Sequence, residues 1–266
     1  VTNYDGGVLL AIDSSAGASV AVLDDGQVRA QWRTAETTTH AEVLAEAVAQ
    51  TMREARVTGA GLRGVVVGVG PGPFTGLRVG LALAHSLAEV WGVPLHGVCS
   101  LDSLAQRALN QSALNQAALN QSAGDSGPVS GEFLAASDAR RREVYWARYR
   151  SDAHGFAELL EGPQVSAASE LPDLPVVGIA ASLYPQVLTP RLAEQGHWLP
   201  DAVELGQLAE RALERDPSAV TRPAQPGPDA EPRAAEPGAV LRDPLPLYLR
   251  ESDAKVPAQM RARQAS

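Results

Sequence analysis

The chain has 266 residues, 45% hydrophobic and 20% charged, enough for one large or two small globular units with buried cores, and this excludes a disordered polymer. With 22 basic against 31 acidic side chains the formal charge is −9, so the overall field cannot hold nucleic acid and a partner would have to supply that charge. A single cysteine, Cys99, excludes a disulfide framework and a multi-thiolate metal site, and no apolar run approaches a membrane span, so the expectation is a cytoplasmic protein with no membrane contact.

In chain order, VLLAI (8–12), ASVAVL (18–23) and QVRAQW (27–32) are runs of strand length, the last two separated by the turn Asp24-Asp25-Gly26, and together they predict an antiparallel meander. From Thr39 the period becomes helical: Val43, Leu44, Ala47, Val48, Met52 and Ala55 share one face of a helix over 40–56, with Thr39 and Glu42 at capping-box spacing. VVVGV (65–69) reads as a buried strand, 75–91 as a helix that Thr75 can cap and Gly92 closes, and PLHGV (94–98) as a further strand. Residues 108–122 repeat ALNQS, ALNQA, ALNQS. A five-residue period matches no helical stripe, so they read as a surface insertion or short frayed helix with no assigned function. FLAAS (133–137), VYWARY (144–149) and VVGIA (176–180) predict strands, and 204–215 a last helix. The expected organisation is a first lobe over 1–103, a second over 104–216, a proline-rich linker over 217–245 and a terminal segment over 246–266.

The stretch VGVGPGPFTGLRVG (67–80) raises the question of a phosphate cradle. A Walker loop needs a lysine, but Lys255 in the tail is the sole lysine, and the dinucleotide fingerprint fails because its sixth place is Pro73 or Thr75. What remains is a rigid corner leading into a helix on which Gly76, Gly80, Ala84 and Ala88 recur every four residues. Each glycine there costs about 1 kcal/mol relative to alanine, so something packs closely, either the chain's own sheet or another molecule's helix.

LLAIDSSAGASVAVLDDG (9–26), HAEVL (40–44), GVGPGPFTGLRVG (68–80), AASDARRREVYWARY (135–149) and PLYLR (246–250) resemble, in order, the TsaB family, also called YeaZ. Two departures are Pro73, where serine is usual, and the ALNQ repeat in a loop that is normally short. The resemblance implies an α/β fold of the actin-like (sugar kinase/Hsp70/actin) type: two lobes with mixed β-sheets flanked by helices. It implies an activating subunit without chemistry of its own in the synthesis of tRNA threonylcarbamoyladenosine. Its partners would be the metal-bearing paralogue TsaD and the ATPase TsaE, with tRNA met only through the complex and a homodimer when alone. It also moves the glycine strip toward the intermolecular reading, which makes Leu44, Val48, Gly76, Leu77, Gly80, Leu81, Ala84 and His85 the expected partner-binding residues.

Actin-like folds hold nucleotide between lobes with a strand-end carboxylate and a hydroxyl-bearing turn, so Asp13, Ser14, Ser15 and Asp138 are the candidate nucleotide residues, and Asp13 and Ser14 could equally do no more than close a tight turn. No cofactor is required on this reading; ATP or ADP would sit at the lobe junction or at the TsaE interface. The alternatives are an independent ATPase or phosphotransferase, or the M22-type glycoprotease of older classification. The five histidines lie more than ten residues apart, and neither HExxH nor GxSxG occurs, so no metal or catalytic residue is expected. Arg140, Arg141, Arg142, Arg148 and Arg150, interleaved with Tyr145, Trp146 and Tyr149, admit two readings. One is a stacking surface for RNA; the favoured one is a half-buried strand with solvated or paired arginines.

Overall fold

A computed structural model describes residues 7–34, 40–120, 131–216 and 240–249, with side chains described from 43 in the first helix and to 113 in the third. The first sheet has strand order β10-β5-β4-β1-β2-β3, formed by β1 (Val8–Asp13), β2 (Ala18–Asp24), β3 (Gln27–Thr34), β4 (Leu62–Gly68), β5 (Leu95–Val98) and β10 (Leu241–Arg242). β1, β2 and β3 form the expected meander, whereas β1, β4 and β5 run parallel because the helices α1 (His40–Ala55) and α2 (Phe74–Trp91) carry the crossovers.

Alternation along β1 divides the core into two layers. Leu10 and Ile12 face α1 and α2 with Leu44, Val48, Leu77 and Leu81, while Leu9 and Ala11 face α5 (Ala202–Arg215) with Leu205, Leu208 and Leu213. Each such buried leucine or isoleucine contributes about 1.5–3 kcal/mol, so both faces of the sheet are firmly covered. Asp201 starts α5 by accepting a hydrogen bond from the Val203 N–H, and Gly92, at φ 66°, ends α2 in the left-handed conformation that favours glycine.

The second sheet has order β8-β7-β6-β9, from β6 (Phe133–Asp138), β7 (Glu143–Ser151), β8 (Ala157–Ala167) and β9 (Val176–Val177). Helix α3 (Ser100–Asn120) covers one face against Phe133, Tyr145 and Tyr149, and the short α4 (Ala180–Leu183) helps cover the other.

Several expectations are corrected. Residues 176–180 are a two-residue strand running into α4 rather than one strand, and β8 was not anticipated. Pro73, not Thr75, stands at the N-cap of α2, without a side-chain cap. The first ALNQ copy is no surface insertion: Ala108 and Leu109 lie in the core between α3 and the second sheet, and Asn110 is hydrogen-bonded to Gln106 and Gln207. The proposed boundary at 103/104 falls inside α3, α5 packs on the first sheet, and β10 pairs with β5 within the span read as linker. Thr39 and the later repeat side chains lie outside what is described.

Candidate functional site

The strand-end carboxylate sits where β1, the Gly70–Pro73 corner and the start of α3 meet. Asp13 Oδ1 accepts from the Ser15 N–H at 2.8 Å and the Ser15 hydroxyl at 2.7 Å, and Oδ2 accepts from the Ser100 hydroxyl at 2.6 Å. Ser100 Oγ also accepts from the Gly70 N–H at 3.1 Å, tying the corner to the same carboxylate. Asp13 is 1% exposed. Burial raises its pKa, and the hydrogen bonds from Ser100 and Ser15 pull it back down.

Ser14 is committed in the same way. Its hydroxyl donates to the Gly76 carbonyl at 2.8 Å and accepts from the Gly80 N–H at 3.1 Å, so it bridges two peptide groups one turn apart on α2. A methyl group at Gly80 would press directly on Ser14 Oγ, one at Gly72 on the Ser15 carbonyl, and one at Gly68 on the Asp13 carboxylate. The glycine strip is therefore the seat of the β1–β2 turn. This overturns the intermolecular reading of Gly80: the close partner is Ser14 of the same chain.

Leu44, Val48, Leu77, Leu81 and Ala84 are likewise inside the first core, at 5% exposure or less, and are corrected from partner contacts to packing residues. Of the expected set, Gly76 and His85 are half-buried. The Gly76 carbonyl is taken by Ser14, and His85 Nε2 lies 2.8 Å from the Pro244 carbonyl oxygen. The segment holding Pro244 closes over the corner: the Leu247 N–H donates to the Val69 carbonyl at 2.8 Å, Tyr248 stacks on Phe74 at 4.8 Å, and Arg78 Nε donates to the Tyr248 hydroxyl at 2.8 Å. Ala82, Ser86 and Val90 face outward on α2 at one-turn spacing, flanked by half-buried Val79, Leu83 and Leu87; Val90 is 79% exposed. They are out of phase with the strip, the signal that sequence reading missed.

Asp138 ends β6, accepts from the Arg140 N–H at 2.8 Å and pairs with the Arg140 guanidinium at 3.2 Å. It does not join the Asp13 network. A groove of about 910 Å³ between α3 and α5, lined by Gln106, Asn110, Phe156, Gln207 and Arg211 among others, includes none of the four nucleotide candidates. The corner is thus built as a joint, with its carboxylate and hydroxyls turned into packing.

Residues 144–149 do form a strand, but one buried on both faces rather than half-buried: Tyr145, Ala147 and Tyr149 pack in one layer and Val144 and Trp146 in the other. Tyr145, Trp146 and Tyr149 are at most 8% exposed, and the Tyr149 hydroxyl donates to buried Asp102 at 2.6 Å. Arg148 pairs with Glu132 and Glu161, and Arg150 with Glu158. Arg140, Arg141 and Arg142 are exposed on the β6–β7 turn, Arg140 pairing with Asp138, and are set apart by their backbone, at φ of 62°, 55° and 65°. Three successive non-glycine residues in the left-handed region cost about 1–2 kcal/mol each.

Comparison with known proteins follows the same lines. Residues 34–182 match the family model of TsaD, tRNA N6-adenosine threonylcarbamoyltransferase. The chain is 37% identical over 177 residues to an uncharacterized protein of Mycobacterium tuberculosis, covering 65% of this chain and 72% of that one. It is 32% identical over 149 residues to the tRNA threonylcarbamoyladenosine biosynthesis protein TsaB of Escherichia coli, covering 56% and 57% of the two chains. Among solved structures, YeaZ from Pseudomonas aeruginosa superposes with a TM-score of 0.65 at 27% identity, covering 79% of this chain and 94% of that one. A Pseudomonas aeruginosa protein described as similar to peptidase YeaZ gives 0.67 at 26% identity, covering 92% and 100%. The fold is actin-like.

Proposed function

Because the chain belongs to the TsaB (YeaZ) family, with a role in threonylcarbamoyladenosine biosynthesis, we propose that it is the non-catalytic subunit that pairs with TsaD and, through that pair, with the ATPase TsaE. The observation that carries this reading is the sealed corner. Asp13, Ser14 and Ser15, the groups a phosphotransferase of this fold would offer to a nucleotide, are all buried and hydrogen-bonded to the chain itself. A phosphate could reach Ser14 only by prising it from the Gly76 and Gly80 peptides of α2, and Asp13 only by breaking its bonds to Ser15 and Ser100.

The contact falls instead on the outward face of α2, Ala82, Ser86 and Val90 with the flanking Val79, Leu83 and Leu87, and the same face joins two copies when the chain is alone. A stripe of small residues at one-turn spacing, its one hydroxyl bonded back to the helix, is what a second helix packs on most closely. Size-exclusion chromatography with light scattering, mixing the protein with its cognate TsaD, tests this directly. A one-to-one complex is expected, together with loss of pairing in Val90→Arg at unchanged folding, because Val90 is 79% exposed. Reconstituted modification of a tRNA transcript should need this chain alongside TsaD and TsaE, and an Asp13→Asn variant should support it in full if it folds. ATP turnover by the isolated chain that disappears in Asp13→Asn would sink the proposal.

A further inference from the structure

We propose that the β6–β7 turn, residues 138–143, is a contact for RNA phosphates, so that this chain touches the tRNA directly and does not merely hold the subunit that does. The inference rests on the functional reading above, in which tRNA is the substrate of the complex.

The chain carries nine more acidic than basic side chains, yet three successive arginines stand exposed at one hairpin tip. Such a local reversal of sign marks where a polyanion can approach a protein whose overall field repels it. The backbone argues in the same direction. Arg140, Arg141 and Arg142 all occupy left-handed conformations that glycine or asparagine adopt at less cost, and the Glu143 N–H closes the turn onto the Arg140 carbonyl at 3.0 Å. A turn needed only to reverse the chain has no use for three long cationic side chains in a strained geometry. Strain of this kind is retained where the side chains are needed in place.

The surroundings distinguish RNA from an acidic protein surface. Tyr184, half-buried at the end of α4 and packed against the core between α4 and the second sheet, lies within electrostatic reach of Asp138, Arg140 and Arg142. Guanidinium groups with a partly exposed aromatic residue in the same region are the combination that takes a phosphodiester and can stack an unpaired base. Asp138 fixes Arg140 through its carboxylate and so orients the turn, in which exposed Arg141 and Arg142 follow. Tyr145, Trp146 and Tyr149, the other aromatics near these arginines in sequence, are buried, so the basic tip and Tyr184 form the surface.

The test is binding of an unmodified tRNA transcript by the assembled complex across a salt series, comparing wild type with the double variant Arg141→Asn, Arg142→Asn. Asparagine suits the left-handed backbone, so the fold is kept while two charges go. Loss of two phosphate contacts lowers the slope of log affinity against log salt by about 1.4 to 1.8 and weakens binding at physiological salt by roughly ten- to thirtyfold. Unchanged slope and affinity overturn the proposal. So does a double variant that loses pairing with TsaD while the slope of any remaining RNA binding is kept, since the turn would then be a protein contact. If the wild-type chain forms no complex at all, the functional reading falls on its own. The hairpin is then judged by the same slope comparison on the isolated chain, where a change supports it and no change overturns it.

Discussion

Replacing Gly80 by alanine tests whether the glycine strip is a seat for the β1–β2 turn. On an exposed helix this change would stabilise the protein by about 1 kcal/mol, since alanine is the better helix former. Here the added methyl group meets Ser14 Oγ inside contact distance and lies 3.2 Å from Ser14 Cβ. Overpacking of this kind costs about 1–3 kcal/mol. Moving Ser14 aside also loses one of its two buried hydrogen bonds to α2, worth about 1 kcal/mol more. The gain in propensity offsets part of this, leaving a net loss of about 1–3 kcal/mol, measurable as a lowered urea midpoint at constant slope.

A double-mutant cycle makes the argument specific. Ser14→Ala removes the obstructing oxygen at a cost of about 1–2 kcal/mol in hydrogen bonding. In the Ser14→Ala background, Gly80→Ala should become neutral or stabilising, giving a coupling of at least about 1 kcal/mol between positions 66 residues apart in sequence. If Gly80→Ala alone is neutral or stabilising and its only effect is loss of pairing with TsaD, then the strip faces a partner and the packing described above is wrong.

Glu204 and Cys99 give two further predictions, alongside those for Val90 and the arginine turn. Burial, reinforced by nearby Asp201 and opposed by Arg107 and Arg33, raises the Glu204 carboxyl to about 7 from its ordinary 4.5. The folded state therefore holds a proton that the unfolded chain has already released, so stability falls as pH rises from about 4.5 to 7 and levels off above, by up to about 3 kcal/mol. Glu204→Gln should flatten that part of the stability–pH curve and be the more stable form at pH 8; equal curves for the two proteins refute the assignment. Cys99 is fully buried, and burial next to Asp102 pushes its thiol well above the usual range, so a thiol reagent should label it only in denaturant. Labelling of the native protein at the rate of a free thiol would contradict the packing of Cys99 with Leu101, Leu104 and Ala105 against the second sheet.

The local elements were legible where hydrophobic period and length agreed. VLLAI, the 40–56 face and VYWARY all form the elements their patterns predict: the helix buries its one apolar face, and the two strands are buried on both sides, alternate residues entering different core layers. Helix α3 was not legible, since its second half carries a five-residue repeat with no stripe of its own, and packing of Leu101, Leu104, Ala105 and Ala108 on the second sheet decides the matter. Nor was the placement of α5, whose apolar face fits either sheet until Leu23 and Gly206 are seen to meet. A proline-rich stretch likewise conceals β10, because two residues pairing with Val98 and Gly97 leave no periodic trace.

The candidate site shows a different kind of ambiguity. A row of small residues states that something comes close without stating what, and every residue assigned from it to a partner proves to be core or already engaged. The deciding atom is Ser14 Oγ, which inserts between the Gly76 carbonyl and the Gly80 N–H. The turn that could have presented hydroxyls to a phosphate is consumed in locking α2 to β1, and Ser100 extends the lock to α3. With the interior of the corner committed in this way, chemistry at Asp13 would require unpacking the core, whereas association requires only surfaces that the lock holds rigid. The outward face of α2 is such a surface; the arginine turn, on the second sheet, is held instead by the Asp138–Arg140 pair and by the Glu143 N–H on the Arg140 carbonyl. On the proposed reading, a subunit that holds a partner and meets RNA needs both surfaces fixed in position more than it needs an open cleft.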